Sequence, residues 1–406
     1  MSYVSIEGGV TAAQGFLASG LYCGIRKNKS KPDLALIYSR FPCSAAAVYT
    51  QNLVKGAPIQ VTRRNIADGM AQAVICNSGN ANTCNADGEE KAQLMCEAAA
   101  KELNLQPSDV VVASTGVIGQ ILPIEPIQEA APALAQALSE TGSSDAAQAI
   151  MTTDTVRKEV AVEVVIGGKT VRMGGIAKGS GMIHPNMATM LCFLTTDAKI
   201  APAVLDKALR EAVKDSFNMV SIDGDTSTND MTAILANGAA GNDSIEENTE
   251  AYETFTGALK ELCVRLARMV AKDGEGATKL LVCNVTGAAS EDAARKIGKS
   301  VICSSLLKAA MFGADANWGR VLCAIGYAGT DTDINAVDVG FASEAGSIEV
   351  CKNGAGIPFS EEEAKKILSE DEININVTLH DGAEQASAFG CDLTYDYVKI
   401  NGDYRT

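Results

Sequence analysis

Between Val160 and Thr196 the chain runs strand, turn, strand, loop and strand with little slack, and this stretch constrains the fold more than any other. VAVEVVI (160–166) and TVRMGGI (170–176) read as apolar strands joined by Gly167-Gly168-Lys169, which supplies the permissive backbone a hairpin turn needs. The loop Lys178-Gly-Ser-Gly-Met-Ile-His-Pro-Asn-Met-Ala188 follows directly, and another apolar strand, Thr189–Thr196, begins where it ends.

Helical spacing surrounds this unit. Over 202–216, Val204, Leu205, Leu209 and Val213 share one face with charges opposite, and Ser244–Lys272 has the pattern of one long helix. Glu89–Leu103, Ile127–Leu138, Ala293–Lys308 and Trp318–Tyr327 read as shorter helices, and Leu280–Val285 and Ile373–Leu379 as strands. Strands and helices interleave without a Pro- or Ser-rich linker and without an internal repeat. With 47% hydrophobic residues, 37 glycines and 5% aromatics in 406 residues, the chain is expected to form a layered α/β protein whose halves share a core.

A net charge of −16 speaks against nucleic-acid or anionic-membrane partners, both of which need a cationic face. Arg63-Arg64 and Arg295-Lys296 are small basic clusters whose ordinary reading is solvated surface charge. The 12 cysteines contain no Cys-x-x-Cys pair, so buried reduced thiols are expected rather than a zinc ribbon or redox couple. Met1–Val10 has neither a basic nor an apolar export region, and no apolar run is long enough to span a membrane. A cytoplasmic location is expected.

Histidine, the usual general base, occurs only as His184 and His380. A nucleophile activated by its own α-amine needs neither, because that amine, with a pKa of about 8, can take a hydroxyl proton near neutral pH. In the loop 178–188, Gly179 and Gly181 allow unusual or close backbone approach, Pro185 restricts the turn, and Ala188-Thr189 sits at the loop-to-strand junction. Thr189 there could attack the Ala188 carbonyl and become a new N-terminus once water opens the ester. The same residues also describe a plain Gly-rich turn entering a strand.

Lys178-Gly-Ser-Gly-Met-Ile-His-Pro-Asn-Met-Ala-Thr-Met-Leu resembles the cleavage site of the ornithine acetyltransferase family, also called glutamate N-acetyltransferase. The resemblance implies self-cleavage between Ala188 and Thr189 into an α chain, 1–188, and a β chain, 189–406, sharing one intertwined fold. It implies a layered αββα sandwich similar to N-terminal nucleophile hydrolases with different connectivity, and an α2β2 heterotetramer. Thr189 would be the nucleophile that moves acetyl from N-acetylornithine to glutamate, without a metal or organic cofactor. In some members acetyl-CoA is a second donor, and no residue here decides that point.

The likeness extends beyond the loop. Ser114-Thr115-Gly116-Val117-Ile118-Gly119 resembles the family's oxyanion-hole segment, which gives that role to Thr115 and Gly116. Met151-Thr152-Thr153-Asp154-Thr155 resembles its substrate-binding TTD segment, with Thr152 the contact. By the same likeness Lys178 would meet a substrate carboxylate, Glu275 its amino group, and Asn401 and Thr406 would be C-terminal contacts.

Other features lead elsewhere or nowhere. Asp223-Gly-Asp225-Thr-Ser-Thr-Asn229-Asp230 looks superficially like a calcium loop but lacks the EF-hand spacing, and is expected to be a hydrogen-bonded loop near the site. Gly298-Lys299-Ser300 resembles a P-loop ending, yet Ala293 stands where that motif requires glycine. His184 is expected to be structural or exposed. Two rival functions remain: an N-terminal-nucleophile amidase or aminopeptidase, if water replaces the amine acceptor, and a binding protein whose loop stays intact.

Overall fold

The computed structural model describes residues 3–184 and 190–403. Two mixed sheets carry the layered α/β fold that the alternating elements predicted. The nine-stranded sheet runs Val4–Ile6, Lys158–Ile166, Lys169–Lys178, Leu191–Thr196, Met231–Ala236, Leu34–Tyr49, Met70–Asn77, Val110–Ser114, with Phe16–Leu21 also paired to Leu34–Tyr49. The seven-stranded sheet runs Ala355–Gly356, Gly346–Lys352, Asp338–Ser343, Glu372–Thr378, Leu280–Ala288, Glu384–Cys391, Val220–Ser221.

The expected hairpin is present. Ile166 pairs with Lys169 across Gly167 and Gly168, whose φ of 56° and 75° suit a two-residue turn. Leu191 then pairs antiparallel with Lys178 and in parallel with Met231. The strand that opens just after residue 189 therefore lies inside the sheet, bonded on both sides.

The helix Glu250–Lys272 links the layers. Thr249 caps it by accepting the Tyr252 N–H, and Phe255, Leu259, Leu262, Leu266 and Val270 recur at helical spacing on its buried side. It packs on Lys158–Ile166 and Lys169–Lys178 of the larger sheet and on Leu280–Ala288 and Glu384–Cys391 of the smaller one. Its C-terminus delivers Asp273 and, two residues on, Glu275 to the mouth of the larger sheet. On the other face of the smaller sheet, Gly298 of the helix Glu291–Cys303 comes up against Ala388 and Val285.

Two expected helices differ in extent. Residues 244–249 stay outside the long helix, with Asn248 at a φ of 59° ahead of the Thr249 cap. Ala293–Lys308 is two helices, Glu291–Cys303 and Ser305–Phe312, because Ser304 is extended and its hydroxyl caps the second one. Gly298-Lys299-Ser300 lies within the first of these, so it forms no phosphate-binding loop. Most cysteines are buried thiols as expected, with Cys84 and Cys323 exposed. Among the described residues no helix is long and apolar enough to cross a membrane.

Candidate active site

One cleft, with about 630 Å3 of open space, gathers most of the residues singled out in the sequence. Thr115, Gly116, Thr152, Lys178, Glu275 and Asn401 line it. These residues are separated by up to 286 positions and come from five segments. Ala188, Thr189 and Thr406 lie outside the described residues; Met190, joined to Thr189 by one peptide bond, accepts the Met231 N–H at 2.9 Å.

The strand Val110–Ser114 sets the position of Thr115 and Gly116. It runs parallel to Met70–Asn77, and the Thr115 N–H is consumed by the Asn77 carbonyl at 3.0 Å. Thr115 can therefore offer its hydroxyl but not its amide. Gly116 has a φ of 129°, and a Cβ there would come within 2.7–2.9 Å of the Gly79–Asn80 backbone, so no other residue fits. Its N–H has no hydrogen bond among the described residues and is available to a ligand.

Lys178 ends its strand with the ammonium 3.4 Å from the Thr115 hydroxyl oxygen. Burial pushes its pKa below the usual lysine range, while the Asp154 carboxylate pulls the other way. A cation held this dry attracts an incoming carboxylate far more strongly than one in water.

The Thr152 turn is fastened by ions that the sequence reading did not single out. Asp154 accepts the N–H groups of Thr152 at 2.9 Å and Gly179 at 2.7 Å, tying that turn to the head of the loop 178–184. The wholly buried Lys158 bridges Asp154 at 2.7 Å and Asp273 at 2.5 Å, and Asp273 in turn binds the Thr155 N–H and hydroxyl. Burial alone would raise the Asp154 pKa, but Lys158 and Lys178 hold it well below the carboxylate range. The one hint in the sequence is charge at positions 154 and 158 on the approach to an apolar strand.

Glu275 also lines the cleft. Its N–H is anchored on the Ser180 carbonyl at 2.8 Å, and its carboxylate accepts the Asn401 amide at 2.8 Å. Gly181 leaves the room this carboxylate occupies, since a Cβ there would sit 2.4–2.6 Å from its atoms.

Asn229, also unforeseen as a site residue, saturates its side chain. It donates to the carbonyls of Ala81 at 2.6 Å and Ser114 at 2.9 Å, and accepts the hydroxyls of Thr83 and Thr228 at 2.6 Å. It thereby ties the end of the strand Val110–Ser114 to the start of the strand Met231–Ala236. Next to it Asp230 is buried, with one carboxylate oxygen unpartnered among the described residues, and burial raises its pKa well above the carboxylate range.

The loop 223–230 is hydrogen-bonded beside the site, as expected, and no group of side chains suited to a metal ion occurs among the described residues. His184 is half-buried, with Nδ1 3.1 Å from the Ser221 hydroxyl and 3.3 Å from the Cys303 sulfur. Burial, and then the charge of Lys299, lower its pKa to about 4, so the imidazole is neutral at pH 7. The basic clusters are tied up locally: Arg295 pairs with Asp215 and Glu291, Lys296 with Asp292, and Arg63 stacks on Tyr49.

Fold and site together define an α/β protein with a polar cleft whose lining carries both a buried lysine, Lys178, and a carboxylate, Glu275. The chain belongs to the ArgJ family, whose model matches residues 17–406. It is 50% identical to the arginine biosynthesis bifunctional protein ArgJ 1 of Clostridium acetobutylicum, covering 98% of this chain and 97% of that protein. It is 51% identical to the arginine biosynthesis bifunctional protein ArgJ of Symbiobacterium thermophilum, covering 99% of each. The crystal structure of the arginine biosynthesis bifunctional protein argJ from Bacillus halodurans is 44% identical, with a TM-score of 0.50 over 52% of this chain and 98% of that one.

Proposed function

We infer that the chain is a self-cleaving N-acetyltransferase of arginine biosynthesis, which moves acetyl from N-acetylornithine to glutamate through Thr189. The observation that carries this reading is the convergence of Lys178, Glu275, Thr115 and Gly116 on one cleft at the head of the strand Leu191–Thr196.

In the first step the Thr189 hydroxyl oxygen attacks the Ala188 carbonyl carbon. The carbon–nitrogen bond breaks and the hydroxyl proton passes to the departing nitrogen, leaving an ester and a free α-amine. Water then opens the ester, giving an Ala188 carboxylate and restoring the hydroxyl. The α chain, 1–188, and β chain, 189–406, stay together because Leu191–Thr196 and Met231–Ala236 lie between Lys169–Lys178 and Leu34–Tyr49 in one sheet. The Bacillus halodurans chain, matched nearly whole yet spanning about half of this one, suits a cut near the middle.

In the second step the α-amine takes the Thr189 hydroxyl proton as its oxygen attacks the acetyl carbonyl. The Thr115 hydroxyl and Gly116 N–H stabilise the oxyanion. The proton passes to the leaving nitrogen and ornithine departs. The glutamate amine then attacks the threonine ester, releasing N-acetylglutamate. Lys178 holds the α-carboxylate of each amino acid, Glu275 the amino group of ornithine, and Thr152, Asn401 and Thr406 complete the substrate contacts. No metal or organic cofactor takes part.

The bifunctional names of the relatives favour acetyl-CoA as a second donor, making N-acetylglutamate directly. The working assembly is a cytoplasmic α2β2 heterotetramer. Incubation with N-acetylornithine and labelled glutamate should yield labelled N-acetylglutamate and ornithine in equal amounts. Release of free acetate with no transfer would instead indicate the amidase reading. Labelled product from acetyl-CoA alone would establish the second donor.

A further inference from the structure

The loop leading to the Ala188–Thr189 bond is held almost residue by residue by one neighbouring segment. The Asp223 carboxylate accepts two successive N–H groups, Met182 at 2.6 Å and Ile183 at 2.9 Å, one on each oxygen. The Ile183 carbonyl accepts the Ile222 N–H at 2.8 Å, and the His184 carbonyl accepts the Thr226 hydroxyl at 2.7 Å. Met182 has a φ of 55°, a left-handed conformation that a residue with an unbranched apolar side chain rarely adopts without compensation. The compensation is the paired contact to Asp223, which also accepts the Tyr397 hydroxyl at 3.3 Å.

We propose that Asp223 is a positioning residue for self-cleavage, which holds residues 182–184, just ahead of the Ala188–Thr189 bond, in a left-handed turn on which the rate of cleavage depends. This rests on the cleavage reading above. Asp223 makes or breaks no bond itself: the proton path and the bond changes are those of the first step, and Asp223 fixes the backbone of Met182 and Ile183 that leads toward them. The acid is needed because both loop contacts are N–H donors. An amide could accept one and would set its own NH2 against the other.

The test follows self-cleavage by intact mass from the moment of synthesis, with the melting transition recorded for each variant. Asp223→Asn should fold with a cooperative melt yet cleave at least tenfold more slowly than wild type. Glycine adopts a positive φ without help, so adding Met182→Gly to Asp223→Asn should recover a large part of the lost rate. A merely structural role for Asp223 would give no such rescue. Folded Asp223→Asn that cleaves at the wild-type rate, or a slow variant that Met182→Gly leaves slow, overturns the proposal. A wild-type chain that stays whole overturns the cleavage reading itself, and the role of Asp223 with it.

Discussion

The ammonium of Lys158 lies 2.7 Å from the carboxylate of Asp154, and neither side chain has any contact with solvent. Asp273 closes the arrangement at 2.5 Å from the same nitrogen. Through these ions the Thr152 turn, the start of the loop at Gly179 and the end of the helix Glu250–Lys272 become one rigid support for the cleft. Replacing Lys158 with Met would strand two buried carboxylates. Chemical denaturation should show a loss of about 3–5 kcal/mol, whereas a loss under about 1 kcal/mol would mean that the ions are not buried as described.

The oxyanion role proposed for Gly116 can be tested separately from binding. The methyl of Gly116→Ala would press on the Gly79 carbonyl carbon at 2.7 Å and turn the free N–H away. Steady-state kinetics should show kcat falling roughly 100-fold or more with a much smaller change in KM. A rise in KM alone would place Gly116 in substrate binding instead.

Glu275 should behave in the opposite way. Removing its charge with Glu275→Gln keeps the shape and the Asn401 contact but would lose the proposed charge-assisted bond to the substrate amine. KM for N-acetylornithine or the inhibition constant of ornithine should rise roughly tenfold or more, with kcat much less affected. Unchanged ornithine binding would remove Glu275 from the recognition of that group.

The site residues that the cleft gathers were legible through a resemblance carried by short strings, the Gly-rich loop, the Ser-Thr-Gly turn and the Asp-Gly-Glu-Gly segment, each of which by itself reads as an ordinary turn or loop. What was not legible depends on long-range pairing. Lys158 reads as the charged lead-in to an apolar strand until the sheet brings Asp273, 115 positions away, against it. Asn229 likewise reads as a polar loop residue until Ala81 and Ser114 arrive across the fold. The α/β class followed from the interleaved elements, whereas the αββα arrangement came from the family resemblance. The order of strands did not, because inserting Leu191–Thr196 and Met231–Ala236 between earlier strands is a choice no local pattern encodes.

His184 gives the protein a pH dependence on the acid side. In the unfolded chain its imidazole takes up a proton near pH 6.5, and in the folded chain only near about 4. Its contribution to stability is therefore whole above pH 6.5 and is lost progressively as the pH falls through 5 toward 4. Denaturation midpoints of wild type should drop over that window, and those of His184→Asn should drop less. Parallel curves for the two proteins would show that the imidazole is not kept neutral by burial.

The most direct measurement is the intact mass of purified wild type beside Thr189→Ala. Wild type should give two pieces, 1–188 and 189–406, the second beginning Thr-Met-Leu-Cys-Phe, while Thr189→Ala should remain one chain without acetyl transfer. A wild-type chain that stays in one piece and still transfers acetyl at full rate would contradict the role of Thr189.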